Sequence, residues 1–425
     1  MLTAGQEIEL LVEKPAAGGR MIARHGGQVV FVAGAIPGER VSARIDRVER
    51  QLAFATAVAV IEPSPDRREP FGDPLCGGCL YSHIAYERQL EVKAAVIQDA
   101  FARLGRIVLG APVTVAGSPE HGYRMRARLH VSDNRTGFYR EGSHVLCDPR
   151  STHQMIEAGL DAADAAIASL HDAGIRTSSL EITENLKADA RVLRIEIPGA
   201  VPAARDALTA LARMPGVTGV TITSPSGTFE TGISTVADDL ASLTMNQGTT
   251  GRLERHAASF FQANRFLLPD LVRGVLDAVP ADRDVLDLYA GVGLFSVAFA
   301  AVGRRGLTAV EGDRSSGADL THNAAQFGDT IRVVSSSVED YLSQVSSSPA
   351  TVIVDPPRTG LSRQTIESII RLAPERMVYV SCDPPTMARD AKRLLEANYQ
   401  LTSLRAFDLF PNTPHVESLG VFERP

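Results

Sequence analysis

The sequence predicts an α/β protein in three parts: a small β-barrel over residues 1–62, a central α+β region over 63–250, and a doubly wound domain with a parallel sheet over 251–425. Three observations predict it. Short β-like runs separated by glycine turns fill the first part, a proline-punctuated linker ends it, and in the last third apolar strand-like runs alternate with helical stretches. A chain of 425 residues also exceeds what one hydrophobic core usually organises.

In the first part the β-like runs are Glu7–Glu13, Gln28–Val32, Arg40–Val48 and Phe54–Ile61, broken by Gly18-Gly19, Gly26-Gly27 and Pro37-Gly38. That spacing suits a five-stranded barrel of the oligonucleotide-binding kind. Pro63, Pro65 and Pro70 then stiffen the chain ahead of the run Cys76-Gly-Gly-Cys79. From Ile84 to Leu104 the pattern turns helical, with Leu90, Ala94, Ile97 and Phe101 near one face. Residues 129–182 mix strand and helix signals. In the last third the strand-like runs are Asp284–Ala290, Leu307–Glu311, Ile331–Val334, Thr351–Val354 and Met377–Ser381, and Leu401–Phe407 and Leu419–Glu423 follow closely enough to pair as a hairpin.

Composition excludes several classes. With 44% hydrophobic and 22% charged residues the chain is neither disordered nor fibrous. The longest apolar run, Gly291–Gly303, is too short to span a bilayer and reads as a buried helix. The stretch Met1–Leu10 carries Glu7 and Glu9 and no apolar run of signal-peptide length, so a cytoplasmic location and no membrane partner are expected. The net charge of −7 does not advertise a polyanion binder, yet Arg103–Arg150 holds eight arginines against four acids. Within it, Arg124, Arg126 and Arg128 recur at every second position, one face of a strand, with Phe138, Tyr139 and Arg140 close behind. Phosphate contact and base stacking are the uses of such a face, and a solvated strand is its plain alternative. Only Cys76, Cys79, Cys147 and Cys382 are cysteines, a number that speaks for metal, cluster or nucleophile duty rather than a disulfide framework.

Chemistry-bearing residues gather at the carboxyl ends of the strands in the last third. Val285–Gly293 reads as a buried strand running into a glycine turn, where α/β sheets receive a nucleotide. A dinucleotide fingerprint would place its third glycine at 296, and the chain has Ser296, so adenosine without a pyrophosphate is favoured. Glu311, twenty residues after Gly291, stands where an acid accepts from ribose hydroxyls. Asp355-Pro-Pro-Arg358 and Ser381-Cys-Asp-Pro-Pro385 end the next two strands and bring Asp355 and Cys382 to the same crevice. Phe410–Glu417 joins the terminal hairpin and sets His415 and Glu417 on a loop, and Phe260-Phe-Gln-Ala-Asn264 precedes the domain as an amphipathic helix start.

Taken together, FFQAN, DLYAGVG, DPPRTG, SCDPPTMARD and FPNTPHVE, in this order and spacing, resemble the S-adenosylmethionine-dependent RNA 5-methyluridine methyltransferases. Residues 1–62 resemble the TRAM barrel that many members carry, so the resemblance spans most of the chain. It implies a Rossmann-like class I methyltransferase domain behind an RNA-binding barrel and an RNA-facing central domain. S-adenosylmethionine is the implied cofactor and a uridine of structured rRNA or tRNA the implied substrate; no protein partner is predicted. It also implies roles: Cys382 as nucleophile at uracil C6, Glu417 as the base that removes the C5 proton, and Gln262, Tyr289, Gly291, Gly293, Glu311 and Asp355 around cofactor and uracil. Arg358 is placed near the thiolate on physical grounds, and Arg124, Arg126 and Arg128 on the RNA. An RNA cytosine-C5 methyltransferase and a non-catalytic RNA-binding protein with a vestigial domain are the alternatives. The His-Val-Glu motif argues against the first by resemblance, and retention of Cys382 and Glu417 against the second.

Two departures from the family pattern carry expectations. Many members hold an iron–sulfur cluster on four cysteines. Cys76 and Cys79 match two of them, but Pro70 stands at the earlier position, the fourth falls near Thr152, and Cys147 is out of register. No cluster is therefore expected, Cys76 and Cys79 being remnants packed in the central domain. Asp383 stands where the family usually has Asn, beside the nucleophile; a carboxylate there would disfavour a thiolate, so it is expected to turn away and cap the following helix.

Overall fold

A computed structural model of the chain describes residues 2–199, 209–281 and 283–425. Its first unit is a closed barrel of β1 (Glu7–Pro15), β2 (Met21–His25), β3 (Gln28–Ala33), β4 (Arg40–Val48) and β5 (Leu52–Glu62) in the order β1-β2-β3-β5-β4. Along β1 the alternation holds from Glu7 to Glu13: Ile8, Leu10 and Val12 fill the interior while Glu7, Glu9 and Leu11 face water. The sequence runs cover four of these strands. The fifth, β2, lies between the two glycine pairs and is too short to stand out by periodicity. Its preceding turn touches the far end of the chain, since a Cβ on Gly19 would sit 3.1 Å from the Pro414 ring.

The helix Tyr86–Ala100 and β6 (Thr114–Ala116) belong structurally with the last third rather than with the expected central region. Ile97 and Phe101 pack into the apolar layer of the large sheet, and β6 pairs in parallel with its edge strand. The helical pattern shows an apolar face but not which sheet that face meets. The central unit itself is a seven-stranded sheet, β13-β12-β11-β10-β7-β8-β9. Its strands are β7 (Arg126–Ser132), β8 (Arg135–Tyr139), β9 (Leu146–Cys147), β10 (Ser179–Glu184), β11 (Arg191–Glu196), β12 (Val217–Ser224) and β13 (Gly227–Gly232). The helix Glu157–Asp172 covers one face, with Leu160, Ala163 and Ile167 against Leu129, Leu180 and Ile182. A hairpin of β14 (Thr235–Asp239) and β15 (Arg252–His256) leads out of it.

The last third is a doubly wound sheet of β16 (Val285–Leu288), β17 (Leu307–Glu311), β18 (Ile331–Ser335), β19 (Thr351–Val354), β20 (Arg376–Ser381), β21 (Gln400–Phe407) and β22 (Glu417–Glu423). The order is β18-β17-β16-β19-β20-β22-β21-β6, with β16 to β20 parallel and β22 antiparallel to both its neighbours. Chain order reverses between β16 and β19, and such a switch point opens a crevice at the carboxyl strand ends. The terminal hairpin forms as expected. Glu417, however, is not on the loop: it is the first residue of β22, paired with Phe407, because the strand starts two residues before its apolar run does. Among the described residues, no helix is long and apolar enough to cross a membrane.

Candidate active site

β22 runs antiparallel to β20 with Ser381 opposite Ser418. The residue after the first and the residue before the second are therefore neighbours, and this register sets Cys382 beside Glu417. Glu417 is 2% exposed, and its Oε1 has no hydrogen-bond partner among the described residues. Burial pushes its carboxyl well above the usual carboxylate range, nearby Asp355 pushes the same way, and the Arg358 guanidinium opposes both. Cys382 is partly exposed. Its thiol is pushed up to about 12, first by burial and then by Glu417, with Arg358 again opposing and Asp355 and Asp383 adding to the rise. Asp383 caps the helix Pro384–Glu396, its carboxylate accepting from the Thr386 N–H at 2.9 Å, as expected from its place before that helix.

The glycine turn after β16 is built on left-handed backbone at Tyr289, Gly291 and Gly293, with φ of 60°, 57° and 93°. A Cβ at Gly293 would lie 2.8 Å from both Leu320 and Val297, so only glycine fits there. At Gly291 a Cβ would meet nothing within 4 Å, so the turn is open above this residue. Glu311, at the end of β17, accepts from the Gly291 N–H at 2.7 Å and from the Asp313 N–H at 2.6 Å, which fixes its carboxylate at the rim of the turn. Tyr289 is partly buried and reaches the Thr365 hydroxyl at 3.4 Å. Asp355 follows β19 and accepts from the Gln262 amide at 3.3 Å. Its carboxyl is pushed up to about 7 by desolvation and by Asp287. FFQAN forms an extended connection, the helix starting only at Leu268, and this is what carries Gln262 across to Asp355.

One acid in the crevice does not stand out in the sequence. Asp287, in the middle of β16, is 2% exposed, accepts from the Ser296 N–H and hydroxyl, and is pushed up to about 7 by burial. The available signal is Ser296 itself: the residue that breaks the dinucleotide fingerprint is the partner this buried carboxyl needs. Carboxyls of Asp287, Glu311, Asp355 and Glu417 thus line one crevice with Cys382. Burial raises the proton affinity of Asp287, Asp355 and Glu417, and for each a neighbouring carboxyl adds to the rise.

The arginines on the central sheet diverge. Arg126 pairs with Glu181 at 2.5 Å, and Arg128 with Glu196 at 2.6 Å. Arg124 precedes the strand; its guanidinium lies over the rings of Phe138 and Phe410 at 5.4 and 5.6 Å and donates to Gln154 at 2.7 Å. Arg358 is exposed at the crevice mouth.

The cysteines correct the expectation drawn from sequence. Cys76 and Cys147 form a disulfide, and Cys79 is a free buried thiol packed with them against Phe71 and Phe138. The β8–β9 hairpin folds over the CGGC loop, with the Gly77 N–H donating to Tyr139 O at 3.2 Å, and brings Cys147 to Cys76; sequence spacing carries no sign of that fold-back. The Thr152 hydroxyl donates to Pro149 O at 2.7 Å. With two thiols bonded to each other and Pro70 and Thr152 at the other positions, these residues do not fit a four-thiolate cluster. The bridge closes a separation of 71 residues, which in the chain-entropy treatment stabilises by about 4 kcal/mol. Cys147→Ser is expected to lower the urea midpoint clearly under oxidising conditions and to leave it unchanged under strong reductant; equal midpoints in both would contradict this.

The family model described as tRNA (uracil-5-)-methyltransferase matches residues 237–424, and that of the TRAM domain matches residues 2–58. The 23S rRNA (uracil(1939)-C(5))-methyltransferase RlmD of Alkalilimnicola ehrlichii is 33% identical over 96% of this chain and 94% of its own. An uncharacterized RNA methyltransferase of Streptomyces avermitilis is 31% identical over 99% of this chain and 98% of its own. In fold the chain is similar to Pyrococcus abyssi tRNA (uracil-54, C5)-methyltransferase, solved in complex with S-adenosyl-L-homocysteine. The TM-score is 0.77 at 22% identity, covering 97% of this chain and 99% of that one.

Proposed function

Because this chain belongs to the RNA uracil-C5 methyltransferases, we propose that it transfers a methyl group from S-adenosylmethionine to C5 of a uridine in structured rRNA or tRNA, with Cys382 as nucleophile and Glu417 as base. The observation that carries this reading is the buried, unpartnered Glu417 Oε1 next to a thiol. A carboxylate held there without a protein partner has its hydrogen-bonding capacity reserved for something that enters the crevice.

The crevice fits the cofactor. Its four carboxyls suit a cation, the open turn at Gly291 admits an adenosyl group, and the Glu311 carboxylate at the rim suits ribose hydroxyls. Gln262, Tyr289, Gly291, Gly293, Glu311 and Asp355 would hold it. When bound, S-adenosylmethionine supplies an electrophilic methyl on a positively charged sulfur.

The chain's residues do the rest. Uracil C5 is a weak nucleophile until a thiolate adds at C6, which drives the C5=C6 electron pair towards C5 and the O4 oxygen. Cys382, partly exposed, loses its thiol proton to bulk water and, as the thiolate, forms that bond. Arg358, whose charge favours ionisation of both the thiol and the Glu417 carboxyl, faces the developing negative charge. Once C5 has taken the methyl it carries a proton it must lose. Glu417 accepts that proton, the C–H pair re-forms the double bond, and the Cys382 thiolate leaves. The target nucleotide must be flipped out of its stack, at a cost of about a few kcal/mol, so RNA has to be gripped elsewhere. We assign that grip to the barrel, whose turn touches Pro414 of the loop before Glu417, and to Arg124, beside Phe410 at the same loop. Arg126 and Arg128 already balance Glu181 and Glu196, so phosphates would have to compete for them.

The raised proton affinities set a pH dependence. Cys382 at about 12 and Glu417 well above its usual range must both lose protons, so the rate is expected to rise with pH through the neutral range. Removing the Arg358 charge raises both groups further. Arg358→Met is therefore expected to slow the reaction at pH 7.5, by roughly tenfold for every 1.4 kcal/mol of thiolate stabilisation lost, and to move the rising limb to higher pH. A pH–rate profile superimposable on that of the unaltered enzyme would count against the role given to Arg358. Turnover of a uridine in isolated 23S rRNA or tRNA transcripts, read by nucleoside mass spectrometry, tests the reading as a whole.

A further inference from the structure

The loop that delivers Glu417 is held from far upstream. The helix Tyr86–Ala100 presents Gln89 and Lys93, four residues apart and so on one face, to residues 408–412. Gln89 grips Asn412 from both sides: its Oε1 accepts from the Asn412 N–H at 2.9 Å and its Nε2 donates to Asn412 Oδ1 at 2.9 Å. Lys93 pairs with Asp408 and donates to Phe410 O at 3.1 Å. Gln89, Lys93, Asp408 and Asn412 are all 1% exposed or less. Asn412 is also held at a φ of 63°, a left-handed backbone that asparagine adopts more readily than other non-glycine residues.

Burying an amide and an ion pair contributes little to stability compared with an apolar core of the same volume. What such a network does provide is orientation: the Gln89 amide meets the Asn412 N–H and Oδ1, and Lys93 meets Asp408 and the Phe410 carbonyl, while Asn412 Nδ2 and Asp408 Oδ2 have no partner among the described residues. Five residues beyond Asn412 stands Glu417, a carboxyl with an oxygen that no described residue holds in place. We propose that Gln89 and Lys93 are positioning residues for Glu417, setting the Asp408–Asn412 loop so that its carboxyl meets the C5 proton. This rests on the assignment of Glu417 as the base. Neither residue touches the reacting atoms.

A displaced base leaves the earlier bonds unaffected. Cys382 still adds at C6 and the methyl still reaches C5, but the C5 proton stays, the double bond cannot re-form, and the thioether to RNA persists. Gln89→Leu and Lys93→Met are each to be assayed for turnover, for S-adenosylmethionine KM and for RNA–protein adduct on denaturing gels. Values are taken per folded molecule, counted by S-adenosylhomocysteine binding, with Glu417→Gln alongside. Both variants are expected to lose turnover by about 100-fold, the effect of a misplacement of roughly 1 Å, with KM unchanged and adduct accumulating. Wild-type turnover per folded molecule, or joint loss of turnover and adduct, would overturn the positioning role while an adduct in Glu417→Gln left the base assignment standing. Absence of adduct in Glu417→Gln would instead defeat the assignment on which the proposal rests.

Discussion

Cys382→Ala is expected to abolish methyl transfer, lowering turnover by at least roughly four orders of magnitude while S-adenosylmethionine binding stays intact. Without a bond at C6 the uracil ring keeps its double bond, and C5 has too little electron density to attack a sulfonium methyl. The loss should be complete because no other thiol reaches the crevice: the other three cysteines are a disulfide pair and a thiol buried beside it in the central unit. The alanine removes little packing, since Cys382 is partly exposed at the strand end. Thermal unfolding of the variant within a few degrees of the parent, with single-turnover assays showing no transferred label, is the check. Residual methylation clearly above roughly a ten-thousandth of the parent rate would mean that the ring is activated some other way.

Glu417→Gln is expected to stop the enzyme after one methyl transfer. The amide has the same shape, so addition and methylation proceed, but it cannot take the C5 proton; turnover falls by about 10^2 to 10^4-fold. The product is a methylated RNA still bonded to Cys382, visible as a band that survives denaturation and carries label from the cofactor. The substitution also removes a buried carboxyl whose proton affinity is already raised by burial and by Asp355, so the folded state is not expected to suffer. Multiple turnovers at the parent rate would assign the base elsewhere, with Asp355 the next carboxyl to examine.

Most of the candidate crevice is legible in the sequence because its residues sit at strand ends, and strand ends in a parallel sheet share one edge. Tyr289, Glu311, Asp355 and Cys382 need only the alternation of apolar runs and helices to be brought together. Glu417 reads as a loop residue, since its strand begins before the apolar run does. Asp287 escapes notice for a different reason: a carboxyl inside an apolar strand looks like an exception until Ser296 is seen to donate twice to its Oδ2, while its Oδ1 has no partner among the described residues. The arginine face of the central sheet is legible as a pattern, but its pairing with Glu181 and Glu196 depends on β10 lying alongside β7 and β11 lying beyond it. Long-range closures are invisible for the same reason. Neither the fold-back that joins Cys147 to Cys76 nor the grip of Gln89 on Asn412, 323 residues away, leaves a periodic trace in the sequence.

The most direct measurement is nucleoside mass spectrometry of unmodified rRNA and tRNA incubated with the protein and S-adenosylmethionine, with Cys382→Ala in parallel. The expected result is 5-methyluridine at one position, formed by the parent and absent with the variant. Appearance of 5-methylcytidine instead, methylation by both proteins, or none by either on any RNA offered, would contradict uracil C5 methylation through a Cys382 adduct.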